Sequence, residues 1–87
     1  VERLLKKVTR IFTKEFRPPN RVDLWDEDGV FGIIVSNRFK GTESMDRVNI
    51  IWDLLEEHLT EKERSRIVTI VGVTPLEENL HSHTLLD

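Results

Sequence analysis

Residues Val30 to Ser36 read VFGIIVS, a run without a charged side chain. A near-continuous apolar strand of this kind suits the middle of a sheet, and it dictates what the segments around it must be. RVDLW (Arg21 to Trp25) alternates just before it, with Val22 and Leu24 on one side and Asp23 and Trp25 on the other. The linking DEDG (Asp26 to Gly29) ends in Asp-Gly, which tolerates positive φ and closes a hairpin. IVTIVGV (Ile67 to Val73) is β-branched along most of its length and supplies a third strand.

Helices fill the remaining chain. Val1, Leu4, Leu5, Val8, Ile11, Phe12 and Phe16 recur at steps of three and four, and Pro18-Pro19 ends the helix they mark. A second helix follows Gly41, with Thr42 or Ser44 as its cap. Met45, Val48, Ile51, Trp52, Leu55 and Leu59 form its core stripe, while Ile50 and Leu54 fall off that stripe as a smaller second patch. That patch is either covered by a short third helix or tail, or left open to a partner. Thr60-Glu61-Lys62-Glu63 and Thr74-Pro75-Leu76-Glu77 are capping boxes, opening a short helix and a last helical turn. The expectation is an α+β two-layer domain over residues 1–80, order α-β-β-α-α-β, with a loose tail at 81–87. Helices cover one face of a three-stranded mixed sheet, the hairpin antiparallel and the third strand parallel after a right-handed crossover.

Composition narrows the function classes. The 87 residues include no cysteine, which removes disulfides, thiolate clusters, cysteine zinc sites and thiol catalysis together. No apolar run approaches the ~20 residues of a membrane span, nor is there a secretory h-region. A net charge of −3 conceals an asymmetry. Residues 1–21 hold seven basic against two acidic side chains, and the remainder six against fourteen. Overall acidity argues against a dedicated nucleic-acid binder, while the basic first helix is either a solvated face or a contact for acidic protein or phosphate.

Catalytic chemistry is poorly supplied. Tyrosine is absent, and the three histidines are His58, His81 and His83. Ser36 and Ser44 have no base at helical or turn spacing, and the adjacent carboxylates of Glu56/Glu57 and Glu77/Glu78 diverge. Asp26, Glu27 and Asp28 lack the later ligands of a calcium loop, and His81-Ser82-His83 is too short of ligands for a structural metal. Gly29-Val30-Phe31-Gly32 spells the GxxG of KH domains but opens a strand where KH domains need a loop between helices. Phe39-Lys40-Gly41 precedes a helix N-terminus, where amides and Lys40 offer an anion contact.

The element order and two motifs resemble the BolA family, small cytosolic domains similar to the type II KH fold. The family's middle motif is a strand ending in Ser, a Phe-x-Gly turn and a helix carrying Arg-His-Arg. Ser36, Phe39, Gly41 and Arg47 match it, and Val48 and Asn49 replace the His and second Arg. Thr74-Pro75-Leu76-Glu77 matches the family's Thr-Pro-x-Glu after the last strand. Members that share an iron–sulfur cluster with a monothiol glutaredoxin supply a histidine at the start of that strand. Arg66 stands there, and a guanidinium has no lone pair for iron. The second ligand, expected between the first two strands, is replaced by DEDG. The family's proposed DNA contact rests on a basic helix–turn–helix, whereas Glu43 to Arg66 is acidic on balance.

The expected function is therefore a non-catalytic, cofactor-free, cytoplasmic binding or regulatory domain acting through a protein partner. Ile50, Leu54 and Arg47 form its docking surface, and Phe39 and Gly41 make a structural corner. One alternative is a KH-like nucleic-acid contact through Arg3, Lys6, Lys7, Arg10, Lys14 and Lys40. The other is self-association, as a monomer or weak homodimer.

Overall fold

The computed structural model describes the backbone of residues 2–86 and the side chains of residues 2–80. Its elements run α1 (Glu2–Glu15), β1 (Arg21–Asp26), β2 (Val30–Val35), α2 (Ser44–His58), α3 (Glu61–Arg64), β3 (Ile67–Val73) and α4 (Pro75–Leu86). A single 3-10 turn, Asn37–Phe39, lies between β2 and α2. The α-β-β-α-α-β order is present, and the last helix continues past one turn into the segment expected as a loose tail.

β2 lies at the centre of the sheet, antiparallel to β1 and parallel to β3. Its two-sided pairing is what the apolar run of its sequence requires. Opposite residues are Val22↔Ile34 and Leu24↔Gly32 in the hairpin, and Gly32↔Ile70 and Ile34↔Gly72 across to β3. Asp28 and Gly29 turn the hairpin with φ of 59° and 140°, the positive values that the Asp-Gly pair admits.

α1 packs over β1 and α2 over β3. Val8 and Phe12 of α1 with Phe16 just past its end, Ile51 and Leu55 of α2 with its C-cap Leu59, and Val30, Ile34 and Ile70 of the sheet meet in one buried cluster. The alternation of β1 holds: Val22 and Leu24 are half-buried while Arg21, Asp23 and Trp25 are exposed. Trp25 stacks on Phe31 on the face of the sheet away from α1 and α2, ring centroids 6.2 Å apart.

The stripe expected on α2 is corrected in its phase. Met45 and Val48 are 70% and 41% exposed, whereas Ile51 and Leu55 are sealed. At 100° per residue the buried centre is displaced by roughly 50° from the centre of the expected stripe, toward Ile50 and Leu54. The reason is the narrow sheet. β3 is its edge, and Val48 lines an open surface depression there with Val71 and Gly72. The cap is corrected too. Glu43 is the N-cap and makes no side-chain cap bond, while Thr42 precedes the cap and Ser44 is already helical.

Candidate functional site

The Phe39-Lys40-Gly41 corner is built from inside outward. Ser36 is buried, and its hydroxyl accepts the Arg38 N–H at 3.0 Å, which winds the 3-10 turn. The turn drops Phe39 into the core, fully buried and 5.7 Å from Phe16 between ring centroids. Gly72 makes room for it, since a Cβ at that position would stand 2.7 Å from the Phe39 ring. Gly41 then takes φ 75°, a left-handed conformation that lets the chain leave the turn for α2. Lys40 projects from the outside of the corner and is exposed.

Arg47, expected to meet a partner, spends its guanidinium inside the molecule. Nε donates to the Thr42 carbonyl at 2.8 Å and Nη1 to the Gly72 carbonyl at 3.1 Å. The same fork donates to both Glu77 carboxylate oxygens, at 2.6 and 3.1 Å. Its planar end also lies 5.8 Å from the Phe39 ring centroid. One side chain thus ties the corner, the end of β3 and the start of α4 together, a geometry only a bidentate group supplies. Glu77 returns to the Thr74 N–H at 2.8 Å while its own N–H reaches the Thr74 hydroxyl, completing the capping box. Arg47 and then the Thr74 N–H hold the Glu77 carboxyl down at about 2.

Ile50 and Leu54 are half-buried and rest against the core, so they are its flank instead of a separate patch. The tail expected as one possible cover lies outside the described side chains. Leu54 shares a groove of about 440 Å³ with Ile11 of α1, rimmed by Arg10, Lys14, Glu15, Arg17 and His58. The helix-helix groove was not visible in either helix's periodicity, because it needs the packing of one against the other.

The basic side chains of α1 divide into two sets. Lys7 turns toward α3 and pairs with Glu63 at 2.9 Å. The Thr60 N–H and then Lys7 hold the Glu63 carboxyl below its usual range. Lys6, Arg10 and Lys14 have no ion-pair partner among the described residues. Arg3 is exposed at the start of the helix beside Glu2 and Lys6. Elsewhere Arg38 pairs with Glu15 over the Phe16 ring, and Arg21 with Asp23 and Glu78.

The β1–β2 turn and the start of β3 do come together: the Val30 N–H donates to the Arg66 carbonyl at 2.9 Å. An iron–sulfur cluster at this junction does not fit the groups present. The Arg66 side chain offers no lone pair, and among the described residues no three His, Cys, Asp or Glu converge as metal ligands. Asp26 uses a carboxylate oxygen to accept the Gly29 N–H within the turn. The His81-Ser82-His83 pair lies outside the described side chains. The GxxG residues are spread through the hairpin turn and β2, with no helix on either side. Among the described residues no helix is long and apolar enough to cross a membrane.

No family model matches the chain, and no curated protein sequence matches it. Two solved structures do. BolA1 from Arabidopsis thaliana aligns over 85% of this chain and 94% of its own, with a TM-score of 0.64 and 23% identity. The BolA domain of SufE1 from Arabidopsis thaliana aligns over 84% and 93%, with a TM-score of 0.63 and 24% identity. Both align over more than four fifths of the chain, and the chain therefore has a BolA-like fold.

Proposed function

We propose that this is a non-catalytic BolA-like binding domain that acts, in the cytoplasm, through a protein partner seated on the groove between α1 and α2. The observation that carries the reading is that Leu54 and Ile11 line one groove, bordered by Arg10, Lys14, Glu15, Arg17 and His58. Such a groove with a charged rim has the anatomy of a docking site. Arg47 supports it from behind, by fixing the first turn of α2 to β3 and α4, and does not itself reach the partner. The occurrence of the fold as the BolA domain of SufE1 is consistent with a module that works beside another protein. The buried hydroxyl of Ser36 is committed to the corner, which leaves it no part in chemistry.

The test is affinity capture from nuclease-treated lysate with the tagged chain, beside its Leu54→Asp and Ile50→Ser variants. A protein retained by the parent and lost by Leu54→Asp, with far-ultraviolet circular dichroism unchanged, supports the reading. Equal capture by both removes this groove as the docking site. The unpaired Lys6, Arg10 and Lys14 favour one rival, a nucleic-acid contact along α1. It predicts capture that disappears with nuclease and falls steeply with salt. Self-association is separated from both by sedimentation across a range of concentrations.

A further inference from the structure

Arg10 and Lys14, on the rim of the Leu54 groove, also border a second groove on the β1 side of α1. It occupies about 690 Å³ between α1 and β1. Leu5 and Leu24 give it an apolar lining, Lys6, Arg10 and Lys14 a cationic one, and no carboxylate lines it. No described acidic residue pairs with any of these three cations. β1 is paired with β2 on one side only, and among the described residues no turn or loop backbone bond ends on residues 21–26. Every second residue of β1 therefore turns an unpaired N–H and C=O toward the mouth of the groove.

The spacing of the cations matches a strand. Residues four apart on a helix are displaced by about 6 Å along its axis. Alternate side chains of an extended chain recur at about 6.7 Å. Lys6, Arg10 and Lys14 thus stand in step with one face of a strand laid on β1. On the opposite face of the sheet, Trp25 is exposed beside the same edge.

We propose that this groove captures an extended acidic peptide segment as an added strand on β1. Its alternate Glu or Asp side chains reach Lys6, Arg10 and Lys14 over Leu5 and Leu24. Its intervening aliphatic side chains lie against Trp25. The groove lining holds no aromatic ring, and Trp25 lies on the opposite face of the sheet from the cations, so a base stacked there would carry its phosphates away from them. The open backbone edge also has no complement in a phosphate chain, whereas a peptide satisfies it.

The experiment is a fluorescence-anisotropy titration of the 87-residue chain with a short labelled peptide alternating Glu and Val. A Lys-Val peptide and labelled oligothymidylate serve as the other probes. The Glu-Val peptide binds saturably, loses affinity with salt, shifts Trp25 emission and slows exchange of β1 amides. Combining Lys6→Glu, Arg10→Glu and Lys14→Glu weakens it roughly tenfold or more, as expected of several lost charge contacts. Leu54→Asp leaves it unchanged. If the charge-reversed chain fails to fold by circular dichroism, the Gln substitutions at the same positions are read instead. Three results overturn the proposal: no binding at low ionic strength, binding indifferent to the charge changes, or oligothymidylate held in preference to the peptide.

Discussion

Phe39 and Gly72 show how much of this fold rests on single contacts. The Phe39 ring is sealed against Phe16 and against the backbone of β3, and it seats only because position 72 has no Cβ. Gly72→Ala forces the ring or the strand aside, and overpacking of this kind costs about 1–3 kcal/mol. Phe39→Ala leaves a cavity at the same place, at about 3–5 kcal/mol. Urea unfolding of the two variants measures both, and a neutral Gly72→Ala would mean the ring has room to move. Glu77 carries the pH dependence of the corner. Its carboxyl sits at about 2 against an ordinary 4.5, so folding favours the ionised form. That contribution is complete above the unfolded pKa and is lost as pH falls from 4.5 toward 2. Glu77→Gln should flatten stability across that window, read as thermal midpoint against pH. Arg47→Lys keeps the charge but not the fork, and should destabilise by about 1–3 kcal/mol through the orphaned Gly72 and Thr42 carbonyls.

At the scale of elements, some boundaries are written locally and others are not. The capping boxes at Thr60 and Thr74 form as their residues dictate, because each needs only four consecutive positions. Thr60→Ala should cost about 1 kcal/mol, measured by chemical denaturation, since it frees the Glu63 N–H. The face of α2 is a different case. Its apolar residues spread over more than half the helix, so periodicity alone admits more than one centre. The sheet decided in favour of Ile51 and Leu55 and left Met45 and Val48 exposed. Val48→Lys should accordingly stay within about 0.5 kcal/mol of the parent, while Leu55→Ala loses about 2–5 kcal/mol. Comparable losses from both would mean that the first turns of α2 are covered after all.

For the whole molecule, the amino-acid sequence by itself determined the sheet and its order. An uncharged central strand, an Asp-Gly hairpin and a β-branched strand after a helical crossover leave few arrangements of three strands. It also determined the turn of the corner, since Ser36 and Gly41 act through neighbours in the chain, while the seat of Phe39 came from Phe16 and Gly72. Only tertiary structure decided what the surfaces became. Arg47 looked available for a partner until Gly72 and Glu77, 25 and 30 residues away in sequence, took up its donors. Leu54 became part of the wall of a groove it shares with Ile11, and the basic face of α1 was divided when Glu63 neutralised Lys7 alone. Period and propensity are properties of a segment, whereas burial and pairing are relations between segments, settled only when the elements have packed.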